Sequence, residues 1–384
     1  MIQFDITLIT VLIGTTLVGI TSGIMGCFVI LQRKSLFGDA IAHATLPGLA
    51  AMFLYTGSKA PSFLFFGATL SGFIGAICIH LINKHTTLQK ETALGVVLST
   101  TFGLGTLLLS IIQTFPNAHK AGINKFLLGN ASTLLWDDLC IIVTVTTIVI
   151  TTVLLCWKEF KTFIFNQEFA FSLGMNTEYI QATLTTLTVI TIIVGLQTVG
   201  VVLISSLLIA PAAAAYQWTQ RLSHMIILSC FFSSVATISG TFLSSSCEHL
   251  PTGPTIIVIA TICTFFSILF APHHGIVSQH IKTQHQIQQI NAYHMLSYFM
   301  LFNESSTHPY HAHDINALQA VGKKFTNKTI RYLAAKNLIE SPKHNFWRLT
   351  PQGLTLAKKI KPKAILLDSS GLKIAPHNMQ QEIS

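Results

Sequence analysis

Charge is scarce in this sequence of 384 residues, since Asp, Glu, Lys and Arg together make up only 10% of it. Hydrophobic residues make up 51%, and the mean hydropathy is +0.59. Soluble globular proteins typically carry far more charge and less apolar surface. The composition therefore predicts a protein that crosses a membrane several times.

Other familiar features are also absent from the sequence. We expect no cleavable signal peptide, because the first apolar run, residues 6–31, is long enough to stay in the bilayer. The seven cysteines are scattered singly with no CxxC pair, so we interpret them as small core or lipid-facing residues. No GxxxxGK[ST] motif and no catalytic triad occurs, so we expect a chain that is not an enzyme and whose energy source lies on another chain.

Nine apolar runs have about the length needed to cross a hydrocarbon core of roughly 30 Å. They lie at residues 6–31, 37–55, 62–82, 91–113, 139–157, 179–203, 205–220, 224–243 and 254–271. The run at 205–220 contains Pro211 and follows its neighbour almost without a loop, so we expect a broken or re-entrant element there. The predicted fold class is an all-α polytopic membrane protein of about eight to nine transmembrane helices, followed by a small α+β domain.

Lysine and arginine are distributed unevenly among the short loops. One set of alternate loops holds Arg33, Lys34, Lys84, Lys90, Lys158, Lys161 and Arg221. The opposite loops hold only Lys59, Lys120 and Lys125. Because cytoplasmic loops are enriched in these residues, we expect the N-terminus outside the membrane and the C-terminal domain in the cytoplasm.

The C-terminal part has a soluble composition. From residue 272 onward it contains thirteen Lys and Arg against five Asp and Glu. Helices are expected near 286–302, 312–320 and 327–337, followed by a hairpin that turns at 342–345 and a closing helix. This order is typical of a winged helix-turn-helix module, so we divide the chain into a transmembrane domain, 1–275, and a winged-helix-like domain, 276–384.

Asp39 and His43 stand four residues apart in RKSLFGDAIAHATLPG, residues 33–48, at the start of an apolar run. This spacing places both on one helix face, and ionisable side chains at membrane depth are costly unless they face protein, water or a partner. Carboxylate oxygen and imidazole nitrogen suit Mn(II), Fe(II) or Zn(II). The alternative is that Asp39 caps the helix and His43 is a hydrogen-bonded core residue.

Several segments together resemble the permease subunits of metal-ion ABC importers, the ABC-3 class. They are RKSLFGDAIAHATLPG, ETALGVVLSTTFGLGTLLLS at 91–110, FLLGNAS at 126–132, EFAFSLGMN at 168–176, VGVVLISSLLIAPAAAAY at 199–216, LPTGPTIIV at 250–258 and SILFAPHHG at 267–275. The resemblance covers about 70% of the chain.

The resemblance implies an importer in the bacterial plasma (inner) membrane. It would contain a second permease subunit, cytoplasmic ATPases and an extracytoplasmic metal-binding protein. No cofactor would be bound permanently, and the cargo would be manganese, zinc or iron. Asp39 and His43, which match the Asp and His of the family's GDAxxH segment, would line the translocation path as metal ligands. Two alternatives stay open: a permease for chelates of the siderophore or cobalamin type, and a membrane-tethered, metal-responsive transcription regulator.

The loop at 158–176 is rich in aromatic residues, among them Phe165 and Phe169. A short amphipathic helix with rings facing the cytosol is suited to docking another protein, and the alternative is a helix lying on lipid headgroups. The resemblance implies the coupling helix that contacts the ATPase, with Phe165, Glu168, Phe169, Leu173 and Gly174 as the coupling residues. The family usually has Asp in place of Glu168, so the charge is kept.

The tail carries two further candidate sites. Lys324, Lys328, Arg331 and Arg348 fall on the predicted recognition helix, its approach and its wing, where they can face phosphates of nucleic acid or of anionic lipid. The module resembles the winged-helix part of diphtheria-toxin-repressor-type regulators, without a clear counterpart of their metal-binding and dimerisation helices. His308, His311 and His313 in HPYHAH have a spacing suited to sensing metal, and a polar loop is the alternative.

Overall fold

The structure is a computed structural model. It describes residues 6–57, 61–114, 134, 136–247, 250–272, 275–304, 312–314, 327–343 and 346–358. The segment FLLGNAS lies outside the described residues. The chain separates into two compact units, Met1–Val277 and Ser278–Ser384.

The first unit is helical throughout its described part. Its helices are α1 (Ile6–Leu31), α2 (Phe37–Thr56), α3 (Pro61–His85), α4 (Lys90–Gln113), α5 (Trp136–Leu155), α6 (Trp157–Phe165), α7 (Gln167–Ser172), α8 (Thr177–Val199), α9 (Val201–Trp218), α10 (Leu222–Ser246) and α11 (Thr252–Phe270). Eight described helices are long and apolar enough to cross a membrane, and Leu203–Trp218 in α9 forms a shorter apolar stretch. The prediction of an all-α polytopic membrane protein is confirmed.

Helices α8 and α9 meet at a single residue, Gly200. Its backbone has φ 91° and ψ 166°, a conformation open almost only to glycine. The predicted interruption at Pro211 is wrong, because α9 runs through this proline. Close by, the Thr264 hydroxyl of α11 donates a hydrogen bond to the Ala210 carbonyl, 3.0 Å away. A neighbouring helix thus donates to a main-chain oxygen directly before the proline.

Helix α2 packs mainly on α3 and α4 and also contacts α8 and α9. Glycines permit the close approaches. A side chain at Gly48 would collide with the main chain of Gly67 on α3, and one at Gly105 on α4 would lie 2.8 Å from Leu46 Cβ. Small residues at contacts let membrane helices approach closely. The segment of α2 that contains Asp39 and His43 is therefore held by neighbours on several sides.

The connection between α1 and α2 is a tight turn. Arg33 has φ 57°, the Lys34 N–H donates to the Val29 carbonyl at 3.1 Å, and the Arg33 N–H donates to the Ile30 carbonyl at 2.9 Å. These paired bonds form the Schellman motif, which ordinarily places a glycine where Arg33 stands. The residue after that position normally packs back on the helix, and here it is a lysine.

Lys34 is accordingly only 9% exposed. Its Nζ lies 5.8 Å from the centre of the Phe37 ring. Burial, together with the nearby charge of Lys90, lowers the pKa of Lys34 from 10.5 to about 8. The turn therefore holds a cation in surroundings that disfavour its charge.

The second unit combines helices with a small sheet. Its elements are α12 (Ile276–Glu304, beginning just before the unit), β1 (His313–Asp314), α13 (Asn327–Ala335), β2 (Ile339–Lys343), β3 (Phe346–Leu349) and a helix at 351–358. The antiparallel sheet has the order β1-β3-β2. Its apolar core consists of Ala292, Met295, Leu296, Phe299, Ile330, Leu333, Ile339, Leu349 and Ala357.

Two tail predictions need correction. The helix expected near 286–302 extends from Ile276 to Glu304. A helix at 312–320 is wrong at its start, because His313 and Asp314 pair with Trp347 and Phe346 as an edge strand. The hairpin and the helix before it lie where they were expected. The winged-helix assignment itself stays a prediction.

Candidate functional site

Asp39 lies in the first turn of α2, at its third residue. The N-cap position belongs to Leu36, which makes no side-chain capping hydrogen bond. The alternative in which Asp39 caps the helix therefore does not match the geometry. Its carboxylate is half-buried and stands at the N-terminal end of the helix, where the helix dipole is positive.

His43 lies one turn further along α2. Its ring packs edge-on against Phe102 of α4, with the ring centres 4.9 Å apart and an angle of 76° between the planes. The Nδ1 atom is buried and has no hydrogen-bond partner among the described residues. A core histidine normally has its buried nitrogens hydrogen-bonded. The alternative that His43 is a hydrogen-bonded core residue therefore does not account for its Nδ1.

The exposure of α2 singles out these two side chains. From Phe37 to Pro47, Asp39 and His43 are the two residues that are not buried. The residues between them, Ala40, Ile41 and Ala42, are fully covered. The acid and the imidazole therefore form one narrow polar strip on a helix that is otherwise packed.

Two side chains make a sparse metal site. Within the described ranges no group of three or more His, Cys, Asp or Glu residues could hold a metal ion. A divalent ion at this strip would take its remaining ligands from water, main-chain oxygens or another chain. Such incomplete coordination suits an ion that must leave again.

The predicted coupling segment is two helices, α6 and α7. Phe160 and Phe163 of α6 are buried in the core of the first unit, and the Phe160 ring lies edge-on to Phe28 with centres 5.8 Å apart. Phe165 is 89% exposed and Phe169 is 53% exposed. One side of the segment thus anchors it to the membrane helices, and the other presents aromatic rings to the surroundings.

Capping holds α7 in place although it has only six residues. The Asn166 side chain accepts a hydrogen bond from the Phe169 N–H at 3.1 Å. At the other end Gly174, with φ 77°, and Met175 donate to the carbonyls of Phe171 and Ala170, which again is the Schellman motif. Asn176 then caps α8 through the Tyr179 N–H.

The two asparagine caps were missed from the sequence. Asparagine directly before a helical run is a common N-cap, so the signal was present. Glu168 and Leu173, both exposed, lie at the two ends of α7. The rigid turn therefore fixes where the candidate coupling residues stand.

The candidate tail residues that the structure describes lie on different elements. Lys328 and Arg331 are exposed on α13, whereas the Arg348 Nε donates to the Glu340 Oε1 across the hairpin at 2.6 Å. Arg348 is thus already paired with an acid. Lys324, His308 and His311 lie outside the described residues, and His313 lies in β1.

Comparison with known proteins gives consistent matches. A family model described as "ABC 3 transport family" matches residues 4–271. The zinc transport system membrane protein TroC of Treponema pallidum is 41% identical over 275 residues, covering 72% of this chain and 92% of that protein. The manganese transport system membrane protein MntC of Bacillus subtilis is 33% identical over 344 residues, 90% of this chain and 79% of that protein.

A solved structure agrees with these sequence matches. The structure described as PsaBC from Streptococcus pneumoniae in complex with Fab aligns with a TM-score of 0.61 and 30% identity, covering 71% of this chain and 95% of that one. The similarity to the Bacillus protein covers too much of the chain to end within the first unit, so it includes part of the tail.

Proposed function

Since the chain belongs to the ABC 3 transport family, it is a membrane permease subunit of an ATP-binding-cassette importer, and we propose that Asp39 and His43 bind its metal cargo in transit. ATP hydrolysis belongs to a separate chain. The relatives are named for zinc and for manganese transport. The cargo is therefore a divalent transition-metal ion, and iron stays in the predicted set.

One observation carries the metal site. His43 keeps a buried Nδ1 without a partner, in a side chain that is half-exposed and one turn from a carboxylate. An orphaned polar atom costs free energy, typically about 1–3 kcal/mol, unless a ligand repays it. A metal ion that takes the Nδ1 lone pair removes this cost, and Asp39 balances part of its charge.

Import follows from alternating access. An ion released by the extracytoplasmic binding protein enters the open outer side and takes water, Asp39 and His43 as transient ligands. ATP binding on the partner closes the outer side, and the path then opens to the cytoplasm. Affinity order among divalent metals favours copper and zinc over manganese, so geometry and the binding protein must contribute to selectivity.

A second permease subunit is the proposed neighbour of α4. Small and hydroxyl residues stand on its uncovered surface: Thr92, Ser99, Gly103, Thr106 and Ser110. A side chain added at Gly103 would meet nothing within 4 Å. Membrane helices associate through such small residues, and lipid covers the apolar remainder of the surface.

The exposed face of α6 and α7 is proposed to contact the ATPase, with Phe165, Glu168, Phe169, Leu173 and Gly174 at the contact. Exposed rings beside a rigidly capped turn support this assignment, because aromatic side chains dominate the energy of protein contacts.

The proposed orientation in the membrane is the predicted one, with the N-terminus outside. The Lys84 Nζ, 3.0 Å from the Glu178 Oε1, joins α3 and α8 on the side proposed to be cytoplasmic.

The tail is proposed to be a separate cytoplasmic domain, which the compact unit Ser278–Ser384 supports. Its exposed Lys328 and Arg331 suit anionic headgroups beside a membrane. The comparisons lend no support to nucleic acid as a partner. Metal sensing by His308, His311 and His313 stays a prediction.

Uptake measurements test the proposed site. Asp39→Asn and His43→Gln keep the shape of the side chains and weaken their metal binding. With the permease, ATPase and binding protein in proteoliposomes, each variant is expected to lower Mn(II) and Zn(II) uptake by about tenfold or more. Thr56→Ser at the far end of α2 is the control. Uptake by both variants at the wild-type rate would contradict the site.

A further inference from the structure

Pro47 lies inside α2, four residues after His43. Proline has no N–H, so the helical hydrogen bond that would end on the His43 carbonyl cannot form. Helix α2 continues through Pro47, so only this one hydrogen bond is lost there by necessity. The residue already proposed to bind metal through its ring therefore has a main-chain oxygen without its usual helical N–H donor.

The carbonyls on either side of it are engaged by hydroxyl groups. The Thr45 Oγ1 donates to the Ala42 carbonyl at 2.6 Å, and the Ser71 Oγ of α3 donates to the Ala44 carbonyl. The Ser71 contact shows that side chains from another helix can reach main-chain oxygens here. For the His43 carbonyl, no side-chain donor is found within the described ranges of the chain.

We propose, resting on the proposed function, that the main-chain carbonyl of His43 is a third metal-binding group of the translocation path. Helical geometry places it on the side of His43 nearer the C-terminal end of α2, about one turn from the ring. With the N-terminus of the chain outside, that is the extracytoplasmic side. A cation moving inward meets a carbonyl oxygen, then an imidazole nitrogen, then the Asp39 carboxylate.

The chemistry gives the carbonyl a specific role. Neutral oxygen ligands suit harder ions such as Mn(II). Zn(II) binds nitrogen and sulfur ligands well and therefore depends less on oxygen ligands. A carbonyl oxygen placed before the imidazole favours manganese over zinc at the step of entry. The proline thereby acts on ion selectivity although its own side chain binds nothing.

Restoring the missing N–H tests this role. Pro47→Ala supplies an N–H that can bond the His43 carbonyl, and incorporation of lactic acid at position 47 gives the matching ester, which has alanine's side chain and no N–H. In proteoliposomes containing the whole importer, Pro47→Ala is expected to lower Mn(II) uptake by roughly tenfold and Zn(II) uptake by less than about twofold. The ester is expected to restore the wild-type ratio.

Pro211→Ala is the matched control for loss of a mid-helix proline, because the carbonyl that it re-pairs belongs to Leu207, whose side chain is fully buried among apolar residues. It is expected to leave the ratio of Mn(II) to Zn(II) uptake unchanged. Equal ratios in Pro47→Ala and the ester, or an equal loss of both ions, would overturn the carbonyl's role. Failure of the Asp39 and His43 site shows itself separately, as wild-type uptake by Asp39→Asn and His43→Gln.

Discussion

The two units treat their polar and apolar groups in opposite ways. The membrane unit buries an unpaired histidine nitrogen and a lysine, and it leaves Phe165 89% exposed. In the described part of the tail, apolar residues close into one core, and Arg348 pairs with Glu340 at the surface. Among the described residues, the polar and apolar groups whose placement opposes folding thus lie mainly in the membrane unit. Side chains whose placement lowers the stability of the fold are expected to serve transport. The ion pair and the apolar core of the tail are expected to stabilise the tail itself.

The exposed rings give the largest expected effect. Phe165→Ser with Phe169→Ser removes two aromatic contacts, and each ring at the centre of an interface typically contributes about 2 kcal/mol. We therefore expect the ATPase to bind up to about a thousandfold more weakly, and ATP-driven uptake to fall accordingly. Binding of the ATPase to the permease in detergent measures the affinity directly.

Leu250→Ser is the matched control, since Leu250 is 44% exposed on the side proposed to be extracytoplasmic. It is expected to change neither the affinity nor the uptake. Wild-type binding of the ATPase by the double phenylalanine variant would show that the rings lie on lipid headgroups instead.

Lys34 gives the next largest effect. Its pKa of about 8 in the fold lies below its ordinary 10.5, so the unfolded chain binds more protons between these values and stability rises with pH there. At pH 7 the buried charge costs about 3 kcal/mol. Lys34→Met is therefore expected to raise the thermal unfolding midpoint at pH 7, and the gain should shrink as pH rises from 8 to 10.5. A gain independent of pH would point to packing instead of charge.

Arg33 tests the same turn with a smaller change. A residue with a Cβ in the left-handed conformation costs roughly 1 kcal/mol, which glycine avoids. Arg33→Gly is expected to stabilise the unit by up to about 1 kcal/mol in thermal unfolding. Arg33→Ala removes the same charge and keeps the strain, so it should show no such gain.

The smallest effect is expected in the tail. Glu340 and Arg348 keep 50% and 42% of their side-chain surface exposed, and such surface pairs typically contribute less than about 1 kcal/mol. Glu340→Gln should leave uptake unchanged and slightly speed hydrogen exchange of the amides in β3. High salt should remove the difference. A large loss of uptake would mean that the tail contributes directly to transport.

The sequence predicts the parts of this structure that depend on local patterns. Run length and hydropathy predict the membrane helices, and the spacing of Asp39 and His43 predicts one helix face. The boundary between the runs 179–203 and 205–220 was placed close to Gly200, but the interruption expected at Pro211 is wrong, because α9 continues through that proline. The strand at His313 depends on pairing with Trp347, more than thirty residues away, which no local pattern reveals.

The same limit applies to the candidate site. An orphaned Nδ1, a half-exposed carboxylate and a covered lysine are properties of surrounding helices, so they emerge only after folding. The role proposed for Pro47 depends on both the sequence and the structure. The sequence shows that position 47 lacks an N–H, and the structure shows which neighbouring carbonyls already have hydroxyl donors.

The single-residue junction at Gly200 has a mechanical consequence. A loop between two helices would absorb displacement, but here the Gly200 N–H bonds to the Leu196 carbonyl and its own carbonyl accepts from the Ile204 N–H. Helices α8 and α9 are therefore joined at Gly200 without a flexible loop between them. Because only the four residues 173–176, held in a bonded turn, separate α7 from α8, a displacement of α7 is expected to move both long helices together.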